Sequence, residues 1–282
     1  AIPHAYAAYM AQKMLEDVGI KIPIITTLHG TDITLVGNLP VYKQSVNFSI
    51  NNSDYITTVS ESLKNDTYKL FDIDKEISVI PNFIDFSKYE YITEPCERSF
   101  IAKNDEIIIT HISNFRPLKR VIDVLKIFNK LRDKLNVRLI MIGDGPDKEK
   151  ALKYVNKHKI IKNVVFLGNS NEIDKILCFT DLFLLPSEQE SFGLAALEAM
   201  VHKVPVVCSD AGGLSEVVEN SVSGFLCPVG DINGMAKRSF EILSDPVNHN
   251  KFKESAFKRA RSFDIKKILP KYISVYKKAI KL

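Results

Sequence analysis

Short runs rich in valine, isoleucine and leucine alternate with longer amphipathic segments along the whole chain. That alternation is the signature of βαβ units wound around parallel sheets, and it argues against an all-α or all-β fold. The expected strands are Ile22 to Leu28, Tyr55 to Val59, Ile77 to Ile80, Ile107 to Ile112, Val137 to Ile142, Val164 to Leu167, Leu182 to Leu185, Val204 to Cys208 and Gly224 to Cys227. Several are apolar at consecutive positions, as strands covered by helices on both faces require. Helices are expected at Ala5 to Val18, Glu61 to Phe71, Arg120 to Lys134, Leu194 to Val201 and Gly234 to Leu243, with a lysine-rich amphipathic helix from Ile265 to Leu282.

The segment from about Asp85 to Glu106 is polar, contains Pro95 and has no convincing period, so it reads as a linker between two α/β domains. Residues 1–95 are then the remainder of an N-terminal domain with that linker, 96–262 a second domain, and 263–282 a helix packing back toward the first. The first domain supplies only three good strands and looks incomplete. The chain also starts at Ala1 rather than Met, and it reads as a fragment.

Charge narrows the function. With 38 basic and 34 acidic residues the formal charge is +4, which calls for neither a nucleic-acid nor a membrane partner. No apolar run approaches the ~20 residues needed to span a bilayer, and no signal peptide opens the chain. Cys96, Cys178, Cys208 and Cys227 lack the paired spacing of zinc or dithiol sites, and a reducing, cytoplasmic setting is the simpler inference. No heptad or long apolar stripe fixes the oligomeric state, and a homo-oligomer stays open.

The most informative stretch runs from Leu184 to Met200. A buried strand ends at Pro186, a polar loop follows, and a helix begins near Gly193. Ligands of open α/β sheets bind beyond the carboxyl ends of the strands, where helix N-termini present unpaired N–H groups. Ser191, Phe192, Gly193 and Leu194 are therefore placed to hold a diphosphate. Glu190 can reach a sugar hydroxyl, and Glu198, two turns inside the expected helix, can accept hydrogen bonds from a ribose. Read separately, Glu190 is more simply a helix N-terminal charge and Glu198 an ordinary surface glutamate, and it is the surrounding pattern that reverses this.

Taken with its flanking pattern, this stretch resembles the Glu-x7-Glu signature of retaining glycosyltransferases with the GT-B fold, in which two Rossmann-like, doubly wound domains face a cleft. The likeness continues through Pro205-Val206-Val207, Gly212-Gly213-Leu214, Glu216-Val217-Val218 and Gly224-Phe225-Leu226. It implies that Glu190 binds donor-sugar hydroxyls, Glu198 the ribose, and Ser191 to Leu194 phosphate. It also implies an arginine and a lysine after the first strand of the second domain. Lys119 aligns with that lysine, but the usual arginine position falls on Asn114, and Arg116 is assigned instead. Gly143 belongs to a Gly-x-Gly-Pro stretch that matches the family's turn near the nucleotide and is equally a structural turn, and Gly212-Gly213 is either part of the family pattern or a plain turn before a helix. His29, at the carboxyl end of a strand, is similar to the family's donor-site histidine, and His4, Gly30 and Thr31 fall on the acceptor side.

The wording of the first domain, including Thr26 to Thr34 and Asn82 to Asp85, together with Ser113 to Pro117, is similar to the branch of the family that opens bacillithiol biosynthesis. That likeness implies UDP-N-acetylglucosamine as donor, the small carboxylate L-malate as acceptor, and a leading strand and glycine-rich loop absent from this sequence. No carboxylate is aimed at the anomeric carbon by any motif, so same-face substitution is favoured, with Arg116 and Lys119 stabilising the departing diphosphate. No metal or other cofactor is expected. Asp72-Ile73-Asp74 has the spacing of a manganese motif but sits between a helix and a strand and reads as a turn. Another acceptor, a UDP-N-acetylglucosamine 2-epimerase and a non-catalytic nucleotide-sugar-binding relic remain as alternatives.

Overall fold

The computed structural model describes residues 1–37, 39–89, 98, 101–103 and 105–281. Most of the expected linker, with Pro95 and Cys96, lies outside the described residues. The chain divides into two compact units, one comprising Ala1–Asp85 with Phe263–Leu282 and the other Phe86–Ser262.

The first unit contains α1 (His4–Glu16), β1 (Ile25–Leu28), α2 (Pro40–Asn51), β2 (Tyr55–Thr58), α3 (Glu61–Leu70) and β3 (Ile77–Val79). Its three strands form a parallel sheet in that order, with Leu28, Ile56 and Ile77 buried. β1 begins three residues later than expected because Pro23 has no N–H to give a ladder. Ser60 starts α3 by accepting from the Leu63 amide at 3.0 Å. The C-terminal helix, Ile265–Ile280, joins this unit through the Ile265 amide, which donates to Ile84 at 2.9 Å, and through edge contact of Phe83 with Tyr272.

The second unit runs β4 (Ile107–Ile112), α4 (Val121–Leu131), β5 (Val137–Ile142), α5 (Lys148–Lys157), β6 (Val164–Gly168), α6 (Ile173–Leu177), β7 (Leu182–Leu185), α7 (Leu194–Val201), β8 (Val206–Ser209), α8 (Leu214–Val217), β9 (Gly224–Cys227), α9 (Ile232–Leu243) and α10 (Pro246–Ala260). The C-terminal helix above is α11. The strands are parallel in the order β6-β5-β4-β7-β8-β9, the doubly wound order that starts at the middle of the sheet and builds outward both ways. Successive residues of β4 and β5 supply opposite faces: Ile109, Leu139 and Met141 pack in one core with α4, α5 and α9, while Ile108, Ile140 and Ile142 pack in another with Ile176. Consecutive apolar residues in these strands are thus accounted for.

Where helices were expected at Ala5, Glu61, Arg120, Leu194 and Gly234, helices form. α4 starts at Val121 rather than Arg120, which is left-handed with φ 50°. α2, α5, α6, α8 and α10 were not among the expected helices, and α2 and α10 show why. The first buries only Val46, Ser49 and Ile50, a stripe too thin to stand out, while α10 carries a legible start in Asp245 and Pro246. Cys208 and Cys227 are free and buried.

Candidate active site

In the second unit, strand order reverses between β4 and β7, and the loops leaving their carboxyl ends flank a crevice by construction. The loop after β4 carries Ser113 to Lys119, and the loop after β7 carries Pro186 to Gly193. They are tied to each other: the Glu188 amide donates to the Leu118 carbonyl at 2.7 Å, and Lys119 Nζ donates to Glu190 Oε1 at 2.5 Å. Ser187 Oγ donates to the same carboxylate oxygen at 2.9 Å. Both partners of the ion pair are largely buried, at 18% and 12% side-chain exposure, so the pair is neither an isolated interior charge nor a freely solvated one. Glu190 is therefore not a helix N-terminal charge; it lies before the helix and faces the β4 loop.

Glu190 is also fixed from behind. Its carbonyl accepts from the Gly213 amide at 2.9 Å, so the Gly212-Gly213 segment after β8 packs on the loop that carries it. Ahead of it, Gly193 caps α7 in a left-handed conformation with φ 97°, leaving the first-turn amides of α7 without a helical acceptor and available to an anion. Phe192 is buried, which confines its part in ligand binding to the backbone, whereas Leu194 is exposed at the first position of the helix. Glu198 lies in the second turn of α7 rather than two turns inside it, and it is half-buried. Burial, with Asp174 adding to it, pushes its carboxyl up to about 7. An ordinary surface glutamate has no such shift.

The β4 loop has an unusual backbone. Phe115 is fully buried with φ 41°, a left-handed conformation rarely adopted by a bulky residue. It brings Asn114 and Arg116, both exposed, to either side of a buried ring, and Arg116 then leads into the tight turn Pro117–Lys119. The Gly143-Asp144-Gly145-Pro146 turn after β5 closes on this loop. A Cβ on Gly143 would sit 1.7 Å from the Ser113 carbonyl oxygen, so only glycine fits there. The Asp147 amide donates to the Phe115 carbonyl at 2.9 Å.

Beneath the loop lies His111, which the sequence reading passed over. It is fully buried at the end of β4, with Nδ1 2.8 Å from the Leu184 carbonyl and Nε2 2.8 Å from Ser113 Oγ. Burial holds its imidazole down at about 4, with nearby Lys119 pushing the same way, so the ring is neutral near pH 7. The signal was present: a histidine inside an otherwise apolar strand must find partners for both nitrogens.

The remaining expected residues belong to the first unit. His4, His29 and Thr31 line a cavity of about 470 Å³ together with Thr26, Thr27 and Asp32. His29 and His4 are exposed, and Gly30, with φ 122°, turns the chain after β1. The backbones of Asp72 and Asp74 are both held by the Asn51 side chain, as in a turn.

The sequence pattern of Glycosyl transferases group 1 matches residues 95–259, and that of Glycosyltransferase Family 4 matches residues 2–88. The chain is 40% identical to N-acetyl-alpha-D-glucosaminyl L-malate synthase of Bacillus anthracis, over 98% of this chain and 72% of that protein. It is 27% identical to glycogen synthase of Mycobacterium tuberculosis over 90% of this chain, and spans 63% of that protein. The crystal structure of Anabaena Alr3699/HepE in complex with UDP and glucose superposes with a TM-score of 0.84 at 21% identity, covering 97% of this chain and 75% of that one, a likeness of fold. These relationships, with parallel α/β sheets and a strand-order reversal where the motif residues meet, place the chain among the GT-B glycosyltransferases: it belongs to the glycosyl transferases group 1 family.

Proposed function

We propose that this glycosyltransferase moves N-acetylglucosamine from UDP-N-acetylglucosamine to L-malate with retention of the α configuration. The observation that carries the reading is the Lys119–Glu190 pair at the strand-order reversal, beside the free amides of α7. A lysine ammonium and helix N-terminal amides suit a diphosphate, and a carboxylate held against them suits sugar hydroxyls. The 40% identity to the Bacillus anthracis malate synthase supports the choice of donor and acceptor.

In this reading Glu198 accepts from the ribose hydroxyls, Ser191 to Leu194 present amides to the phosphates, and Asn114, Gly143 and Arg116 border the donor. Arg116 and Lys119 neutralise charge as the bond from the anomeric carbon to the diphosphate oxygen breaks. That oxygen takes the proton of the malate hydroxyl, which attacks the same face. His29 contacts the donor sugar, while His4, Gly30 and Thr31 border the acceptor. The cationic groups supply the charge stabilisation that a divalent metal supplies elsewhere, so none is required.

Mass spectrometry of the protein with UDP-N-acetylglucosamine, with and without L-malate, tests the proposal. A glucosaminyl malate formed only when malate is present supports it. UDP release without that product removes malate as acceptor, and an acceptor-independent 2-epimer points instead to an epimerase.

A further inference from the structure

We propose that His111 is a positioning residue for the diphosphate-binding loop, acting through Ser113 and the Phe115 backbone to hold Arg116 and Lys119; the inference rests on the donor site proposed above.

The hydrogen-bond chain beneath the loop has a single polarity. The Leu184 carbonyl can only accept, so His111 Nδ1 carries the hydrogen and donates to it at 2.8 Å. A neutral ring with Nδ1 protonated leaves Nε2 bare, so Nε2 accepts from the Ser113 hydroxyl, 2.8 Å away. That hydroxyl has then spent its one hydrogen, and its lone pairs face the Phe115 amide at 3.3 Å. Every group in the row from Leu184 to Phe115 therefore has one assigned role.

Its two ends are the loops that carry the chemistry. Leu184 is in β7, two residues before Pro186 opens the Glu190 loop, and Phe115 is the residue before Arg116. The left-handed Phe115 backbone is unfavourable by itself and persists only where its surroundings over-determine it. His111 adds to that constraint twice, through Ser113 and by stacking on the Phe115 ring at 6.2 Å between centroids. An apolar residue would fill the space and leave the Ser113 hydroxyl and the Phe115 amide without their ordered partner. The expected consequence is a loop that still folds but samples positions in which Arg116 and Lys119 miss the phosphates.

Affinities for UDP and for uridine, measured by calorimetry on the whole chain, separate positioning from simple stability. His111→Phe is expected to weaken UDP binding about tenfold or more, the scale of one misplaced charge-assisted hydrogen bond, and to leave uridine unchanged. His111→Gln brings an amide oxygen to the Nε2 position and is expected to restore most of the UDP affinity, whereas His111→Asn reaches only the Nδ1 position and does not. Should His111→Phe fail to fold, Ser113→Ala interrupts the same chain without touching the ring and is expected to show the same selective loss. Unchanged UDP affinity in folded His111→Phe or in Ser113→Ala overturns the inference, as does an equal loss for UDP and uridine. If the unaltered chain binds UDP no better than uridine, the donor-site reading itself fails, and that result is distinct from either of the others.

Discussion

Lys119 and Glu190 are 71 residues apart in sequence, and their side chains meet at 2.5 Å where the strand order of the second unit reverses. The pair joins the β4 loop to the β7 loop, and in the proposed reaction it opens to let the ammonium meet phosphate and the carboxylate meet sugar.

Removing either partner leaves the other charge partly buried and unpaired, which is expected to cost about 1–3 kcal/mol of stability. Glu190→Gln and Lys119→Gln are each expected to lower kcat about a hundredfold or more while the fold persists. The double variant is expected to lose less than the product of the two, because both act on one contact. Thermal melts and single-turnover rates check both parts.

Glu198 titrates at about 7 when no ligand is bound, because burial disfavours its charged form and Asp174 adds repulsion. An ionised carboxylate is the better acceptor for ribose hydroxyls, so uridine is expected to bind several-fold more tightly at pH 8 than at pH 6. Glu198→Gln is expected to flatten that dependence. The same shift works against folding as pH rises: between the usual 4.5 and about 7 the folded chain holds a proton that the unfolded chain has released. Stability from this group is therefore lost across that window, and a urea titration of the glutamine variant against the unaltered chain reads the difference.

Gly143 and Gly168 both have positive φ, but only Gly143 has backbone against the position of a Cβ. Gly143→Ala is expected to destabilise by about 2–4 kcal/mol, adding a steric clash to the conformational cost, and Gly168→Ala by about 1 kcal/mol. Denaturant midpoints of the two variants compare them directly, and UDP affinity should fall only for the first.

Charge stabilisation by Arg116, Lys119 and helix amides predicts transfer at an undiminished rate after chelation. A rate abolished by chelator and restored by Mn²⁺ would require another source of that charge.

Much of this was readable beforehand. The nine strands among the described residues all fall in expected runs, those of the second unit because a doubly wound sheet buries both of its faces, and the Glu190 to Glu198 stretch could be placed because a strand, a polar loop and a helix start follow one another there. What could not be read was anything set by contacts distant in sequence. The partnership of Lys119 with Glu190, the fit of Gly143 against Ser113 and the proton order from Leu184 to Phe115 each join segments separated by whole βα units. Phe115 shows the limit most clearly: no residue type announces a left-handed phenylalanine, and its neighbours impose it.

The most direct measurement is the NMR spectrum of the anomeric proton in the product formed from UDP-N-acetylglucosamine and L-malate. The account predicts a single glucosaminyl malate with the small coupling of an α linkage, absent when malate is left out and lost in Glu190→Gln. A β-linked product, or the same product from Glu190→Gln at an undiminished rate, would contradict it.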